Sequence, residues 1–314
     1  MDRRELDGQR VLVTGGAGFV GSHLAEALVG HADVRVLDDL SIGRREYVPD
    51  GVTFVEGDVR DDEALDRHVS RADVVFHQAA IPSVERSVDD PVGCHEVTAD
   101  ATLSLLEAAR RNDARVVVAS SAAIYGQPEG LPVSESDSTE PASPYGIDKL
   151  AVDHYSRRYH DLYGLETVAL RYFNVYGPRQ TGGSYAGVVK IFRDQALDGR
   201  PITVEGDGSQ TRDFVHVDDV VRANLLAAET DAVGEAFNVG TGEEVSIRDL
   251  AETVRAVADS DSEIVHGEAR PGDIDRSLAD VTKAKAALGY EPSVDLHDGI
   301  GSIVAEATGR AADS

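Results

Sequence analysis

The sequence predicts an α/β fold, a doubly wound parallel sheet followed by a smaller second domain. Three observations carry that expectation. The apolar run Arg10-Val-Leu-Val-Thr14 ends in Gly15-Gly-Ala-Gly18-Phe-Val-Gly21, and helical spacing follows through Leu24, Ala27 and Leu28. Strand, glycine turn and helix in that order open a Rossmann-type unit, where glycines let the backbone approach a pyrophosphate seated on the helix N-terminus. Further short apolar runs recur and end in polar residues, as strands do where they line the crevice of an open parallel sheet. Beyond residue 177 the alternation loosens into glycine-rich pieces between short helices.

With 314 residues the chain is long for one core and comfortable for one large or two modest domains. We expect residues 1–177 to form the dinucleotide-binding domain, with the chain returning to it at about 212–240, and residues 178–211 and 241–314 to form the second, substrate-binding domain. Cys94 is the only cysteine, which excludes an intrachain disulfide and argues against a cysteine-based zinc site; no metal is expected. No long apolar run, signal peptide or lipidation motif is present, so a cytoplasmic protein is expected.

Acidic residues number 57 against 30 basic ones, a formal charge of -27, and only Lys149, Lys190, Lys283 and Lys285 are lysines. Such a surface repels phosphate backbones and anionic membranes, so neither nucleic acid nor membrane is an expected partner. It suits concentrated salt, where the screening length falls to roughly 3 Å at 1 M and self-repulsion is muted.

Taken in order, Gly15, Gly18, Phe19, Val20 and Gly21 are the expected pyrophosphate cradle. The second strand, Val34-Arg-Val-Leu37, runs into Asp38-Asp39. An acid there hydrogen-bonds the adenosine ribose and repels a 2′-phosphate, which favours NAD over NADP, although Arg44-Arg45 lie close enough in sequence to serve a phosphate. Val52–Glu56 and Asp73–Phe76 read as further strands. After them, Asp58 can meet the adenine amine beside Val59, and the small Ala79-Ala80 let a cofactor pass. His77 reads as a strand-end histidine bonded to backbone. Leu103, Leu106 and Ala109 mark a helix, and Arg115–Ala119 a strand leading to Ser120-Ser121.

In Ser143-Pro144-Tyr145-Gly-Ile-Asp-Lys149, serine is a good N-cap and proline a good first helical residue. The four-residue step stacks Tyr145 and Lys149 on one face. A nearby cation favours the phenolate, so the pair reads as a general base with its own tuner, and Ser121 can share a substrate hydroxyl with it. Thr167–Tyr172 is the sixth strand.

Together these motifs, with Leu170-Arg-Tyr-Phe-Asn174-Val-Tyr-Gly177, Gly206-Asp-Gly-x-x-x-Arg212-Asp213-Phe214 and Arg270-Pro-Gly-Asp273, resemble the extended short-chain dehydrogenase/reductases of the NAD-dependent epimerase/dehydratase family. Within it the chain is most similar to UDP-glucose and UDP-N-acetylglucosamine 4-epimerases. The resemblance implies bound NAD, contacted also by Tyr145, Lys149 and Tyr172, and catalysis by Ser121, Tyr145 and Lys149. It places Ser83, Ser121, Tyr145, Asn174, Arg212, Arg270, Asp273 and Ser277 on a UDP-sugar, and it implies a homodimer built on the Tyr145 helix and the helix before it. The stripe Ala151, Tyr155, Leu162 suits that interface and equally suits the core. Arginines in glycine-rich loops are what a diphosphate asks for, unless they pair with acids such as Asp213 and Asp273.

Ala122 and Ala123 stand where the related 4,6-dehydratases and decarboxylases carry an acid, which favours an isomerase. Thr98 stands where many relatives have asparagine. The serine at 277 leaves room for N-acetylated hexoses. A UDP-glucuronate 4-epimerase, a 4,6-dehydratase or 4-keto reductase, and a non-catalytic dinucleotide sensor are the alternative readings.

Overall fold

The computed structural model describes residues 6–180, 187–269 and 274–309. The first half runs β1 (Arg10–Thr14), α1 (Phe19–Leu28), β2 (Asp33–Asp38), β3 (Thr53–Glu56), α2 (Asp62–Val69), β4 (Val74–His77), α3 (Val84–Asp89), α4 (Pro91–His95), a π-helical turn (Glu96–Asp100), α5 (Ala101–Asn112) and β5 (Arg115–Ser121). It continues through α6 (Pro144–Tyr163), β6 (Thr167–Tyr172), β7 (Asn174–Tyr176), α7 (Val188–Leu197), β8 (Ile202–Glu205), β9 (Thr211–Arg212), β10 (Phe214–His216) and α8 (Val217–Glu229). Last come β11 (Glu235–Val239), β12 (Val245–Ser246), α9 (Ile247–Val257), β13 (Ile264–Gly267), α10 (Thr282–Leu288) and α11 (Leu296–Thr308).

Seven strands form one parallel sheet in the order β11-β6-β5-β4-β1-β2-β3. The chain winds outward from β1 to one side, then returns to start β4 on the other, so the switch point lies between β1 and β4. Both faces are covered by helices. That is why Val11-Leu-Val13 and Val116-Val-Val118 are continuous apolar runs rather than alternating ones. One face buries Leu24 and Leu28 of α1 with Val220 of α8 and Phe237 of β11; the other buries Leu65 of α2, Leu105 of α5 and Val152 of α6. A further cluster unites Phe192, Ile202, Phe214, Leu250, Val254 and Ile303, drawn from α7, α9, α11 and the short strands β8 and β10.

α8 and β11 return to the sheet. β11 pairs with β6, and Asn238 near its end accepts the Tyr125 hydroxyl at 2.7 Å while its amide NH2 donates to Val133 O and Asp280 O. Tyr125 in turn accepts Nη1 of Arg171 at 2.8 Å, and the other side of that guanidinium donates to Asp153 of α6 at 2.8 and 3.0 Å. The Asp153–Arg171 pair is buried, and it ties α6 to β6. Among the described residues no helix is long and apolar enough to cross a membrane.

Candidate active site

The site begins where α6 begins. Ser143 Oγ accepts the Gly146 amide at 3.1 Å and Pro144 takes the first helical position; Ser87 Oγ of α3 accepts the Tyr145 amide at 3.1 Å. A Cβ on Gly146 would lie 2.8 Å from the Ala123 carbonyl oxygen, so glycine is what lets α6 approach the turn after β5 this closely. The approach brings Tyr145 to Ser121. Ser121 Oγ accepts the Ala123 amide at 3.1 Å, and Ser121 and the Tyr145 phenol line the same cavity. One helical turn on, buried Lys149 donates from Nζ to Ala119 O at 2.7 Å, with the nitrogen 6.0 Å from the Tyr145 ring centre.

Burial dominates the charges here. It pulls the Lys149 ammonium down to about 8 and pushes the Tyr145 phenol above its ordinary value, with the Ser121 hydrogen bond opposing. This departs from the expected lysine-lowered phenol: the ammonium is turned to the Ala119 carbonyl, and burial is the largest influence on the ring's hydroxyl.

At the switch point, Thr14 and His77 are register partners and their side chains hydrogen-bond at 2.7 Å. His77 Nε2 also meets Thr102 Oγ1 at 2.9 Å, so its partners are two threonine hydroxyls rather than backbone, and burial drives its pKa down to about 3. Thr102 donates to Thr98 O in the π-helical turn at 2.5 Å. Above this layer the glycine turn closes on the neighbouring strand. A Cβ on Gly15 would lie 2.7 Å from the Ala79 nitrogen, and one on Gly21 2.2 Å from the Gly15 oxygen.

Asp38 holds the other wall, its carboxylate accepting the Ala17 and Leu40 amides at 2.9 and 2.8 Å. The two arginines that could serve a 2′-phosphate are engaged elsewhere: Arg44 pairs with Glu46, and Arg45 stacks over Phe54 at 4.7 Å.

A cavity of about 460 Å³ connects these parts, running from Gly15, Gly18, Phe19, Val20 and Gly21 past Asp38, Asp39, Val59, Ala79, Ala80 and Tyr172 to Ser121, Tyr145 and Lys149. In strand order, Asp38 after β2 lies at one end, the glycine turn after β1 in the middle and Ser121 with Tyr145 at the other end, a layout that fits a dinucleotide. Asp58 is not in the wall; its carboxylate is held by Arg60 at 2.6 Å, and Arg60 takes its place in the lining.

Three of the expected sugar-nucleotide contacts, Asn174, Arg212 and Ser277, lie together around β9. Asn174 donates from Nδ2 to Asp213 O at 3.1 Å, Arg212 stands just before Asp213 as the last residue of β9, and the Ser277 amide donates to Thr211 O at 3.2 Å. Asp213 does not pair with Arg212; its carboxylate accepts from Thr241, Gly242 and Ala279. Ser83 caps α3 by accepting the Arg86 amide. None of Ser83, Asn174, Arg212 and Ser277 lines the cavity itself, and Arg270 and Asp273 lie outside the described residues. The lining includes Arg60, Arg86, Cys94 and Gln180, which the sequence did not single out. Of these only Gln180 carried a signal, its closeness to the Asn174 motif.

The family model described as the NAD dependent epimerase/dehydratase family matches residues 11–240. A UDP-glucose 4-epimerase of Mycolicibacterium smegmatis is 42% identical over 305 residues, 94% of this chain and 97% of its own. Among solved structures, a UDP-glucose 4-epimerase from Thermotoga maritima with UDP-glucose superposes with a TM-score of 0.93 at 40% identity, covering 96% of this chain and 99% of that one. The UDP-glucose 4-epimerase of Thermus thermophilus in complex with NAD gives 0.89 at 43% identity, over 96% and 100%.

Proposed function

The chain belongs to the NAD dependent epimerase/dehydratase family, and from that premise we propose that it interconverts UDP-hexoses at C4, N-acetylated ones included, with bound NAD. The observation that carries this is the placement of Ser121, Tyr145 and Lys149 at the far end of the cavity that starts in the glycine turn. Gly15, Gly18 and Gly21 would hold the cofactor pyrophosphate, Asp38 the adenosine ribose and Lys149 the nicotinamide ribose. When bound, NAD supplies the acceptor that takes the C4 hydrogen as hydride and returns it to the opposite face. Tyr145 removes the C4 hydroxyl proton beside or through Ser121, and returns it after the 4-keto sugar has turned over. Asn174, Arg212 and Arg270 grip the diphosphate, with Asp273 near the uridine ribose, so the sugar alone is free to turn. Ala122 and Ala123 carry no proton, which suits a reaction needing no neighbouring acid.

The same reading makes the protein a cytoplasmic homodimer through α6 and the helix before it. Tyr155 and Leu162, at 42% and 70% exposure, do not belong to the core, and Val84, Val88, Val92 and Ile147 are exposed on the same group of helices. An apolar face of this extent suits a protein partner. The charge of -27 supports a working medium of concentrated salt.

Purified protein in molar salt, given UDP-glucose or UDP-N-acetylglucosamine without reductant, should yield the galacto epimer, read from the anomeric proton by NMR. A 4-keto-6-deoxy product, or interconversion of UDP-glucuronate alone, would overturn the assignment.

A further inference from the structure

A second cavity, of about 250 Å³, lies where β1 and β2 begin, at the opposite end of the sheet from the cofactor cradle. Arg10 and Asp33 open the two strands as register partners, and Arg35 pairs with Leu12. By the alternation of a strand, Asp33 and Arg35 point to the same face as Leu37, the face that packs on Leu65 and Val69 of α2. His68, in the last turn of α2, and Arg71, just after its cap, close the cavity from above. None of these residues belongs to the cofactor cradle or to the Ser121, Tyr145 and Lys149 group.

The charges in this wall do not cancel. Arg10 is committed to Asp73 through two of its nitrogens, and Asp66 of α2 is committed to Arg111 of α5. Arg35 and Arg71 form no ion pair with any described residue, although acids outnumber bases 57 to 30. Asp33 is the one carboxylate in the lining. His68 is buried, and its Nδ1 has no hydrogen-bond partner among the described residues. A buried ring nitrogen left bare beside cations is an arrangement that packing alone does not explain. Burial and the nearby Arg35, Arg67 and Arg71 hold its pKa below the ordinary value. Arg67 and His68 suit the carboxyl end of α2, whose dipole favours cations. Arg35 has no such reason to be there: it is half-buried on a strand, between the buried Val34 and Val36.

We infer that this cavity binds hydrogen phosphate, held by the guanidinium groups of Arg35 and Arg71 and by the His68 ring, with Asp33 accepting the hydroxyl that the anion itself carries. Planar guanidinium forks match the oxygens of a tetrahedral oxyanion. A carboxylate in the same wall repels an anion made of acceptors alone, and is satisfied by one that brings its own O–H. At pH 8 inorganic phosphate does so, whereas sulfate and the dianion of a phosphate monoester do not. The bound dianion would also offset the arginines around His68 and favour the protonated ring. The inference stands apart from the epimerase reading, since it uses neither its cofactor nor its substrate.

Inorganic phosphate titrated at pH 8 into the whole chain in molar KCl should bind one per chain by calorimetry, with NAD and UDP present so that phosphate does not report on their sites. The His68 ring-proton signals, assigned with His68→Gln, should titrate at higher pH with phosphate than without it. Arg35→Gln and Arg71→Gln should each weaken binding by about tenfold or more, as loss of a charge-assisted hydrogen bond does. Sulfate and methyl phosphate, each leaving Asp33 without a donor, should bind about tenfold more weakly than phosphate. Absence of binding, a His68 titration that phosphate does not move, or an affinity unchanged in both arginine variants overturns the inference. Equal affinity for sulfate overturns the choice of hydrogen phosphate. If Arg35→Gln does not fold, Arg71→Gln, at an exposed position, decides alone.

Discussion

Oδ2 of Asp38 accepts the Ala17 amide at 2.9 Å, so the end of β2 and the glycine turn after β1 are one mechanical unit. The acid thereby shapes the cradle whether or not it also meets a ribose. Asp38→Asn loses the charge and one of the two oxygens that accept the Ala17 and Leu40 amides, and should weaken NAD by about tenfold or more. Discrimination against NADP should fall with it. Fluorescence titration with both dinucleotides would check this, and unchanged preference would remove Asp38 from the ribose contact.

Tyr145→Phe deletes the phenol without disturbing the packing of its ring. We expect kcat to fall by about 10²- to 10⁴-fold, as for loss of a general base, with NAD binding retained. Ser121→Ala, which also frees the Ala123 amide, should lie between the two. Single-turnover kinetics with UDP-glucose would separate binding from chemistry.

His77 predicts an acid sensitivity. Its folded pKa, about 3, is depressed below the ordinary value of 6.5, so between those limits the unfolded chain binds a proton that the folded one refuses. Stability therefore falls as pH drops from about 6.5 toward 3, by roughly 5 kcal/mol in full. His77→Gln should flatten that part of the urea-midpoint profile, whatever its effect at neutral pH.

Salt should act on the whole surface. At 0.15 M the screening length is roughly 8 Å and at 1 M roughly 3 Å, and with a charge of -27 the melting temperature should climb steeply with KCl over that range. A flat dependence would show that the acidic surface is not an adaptation to salt.

Ser277 is buried beside the strand that carries Arg212. Ser277→Tyr should lower turnover of UDP-N-acetylglucosamine more than that of UDP-glucose, by about tenfold or more if the bulk meets the acetamido group. An unchanged ratio of the two rates would separate Ser277 from the sugar pocket.

The sheet was legible because parallel strands with both faces covered must be apolar throughout and must end in polar groups, as Thr14, His77 and Ser121 do. The start of α6 was legible because Ser143 and Pro144 act locally. The Asp58–Arg60 pair was not, since whether an acid turns to a cofactor or to a neighbour two residues away depends on side-chain rotamers. Nor was His95–Asp148, whose partners are brought together only when α4 packs on α6. The balance at Tyr145 was misjudged for a related reason: sequence spacing reveals the neighbouring cation but not how deeply both groups are buried.

The last strand of the sheet comes late. β11 is laid against β6 only after residue 235 has been made, and Asn238 then completes the chain of contacts through Tyr125 and Arg171 to α6. A nascent or truncated chain ending near residue 177 would hold every residue of the cofactor cradle yet present an open strand edge and an unsatisfied buried hydroxyl. Such a piece would be sticky rather than autonomous, and the helix bearing Tyr145 would reach its final setting only once synthesis had passed well beyond it.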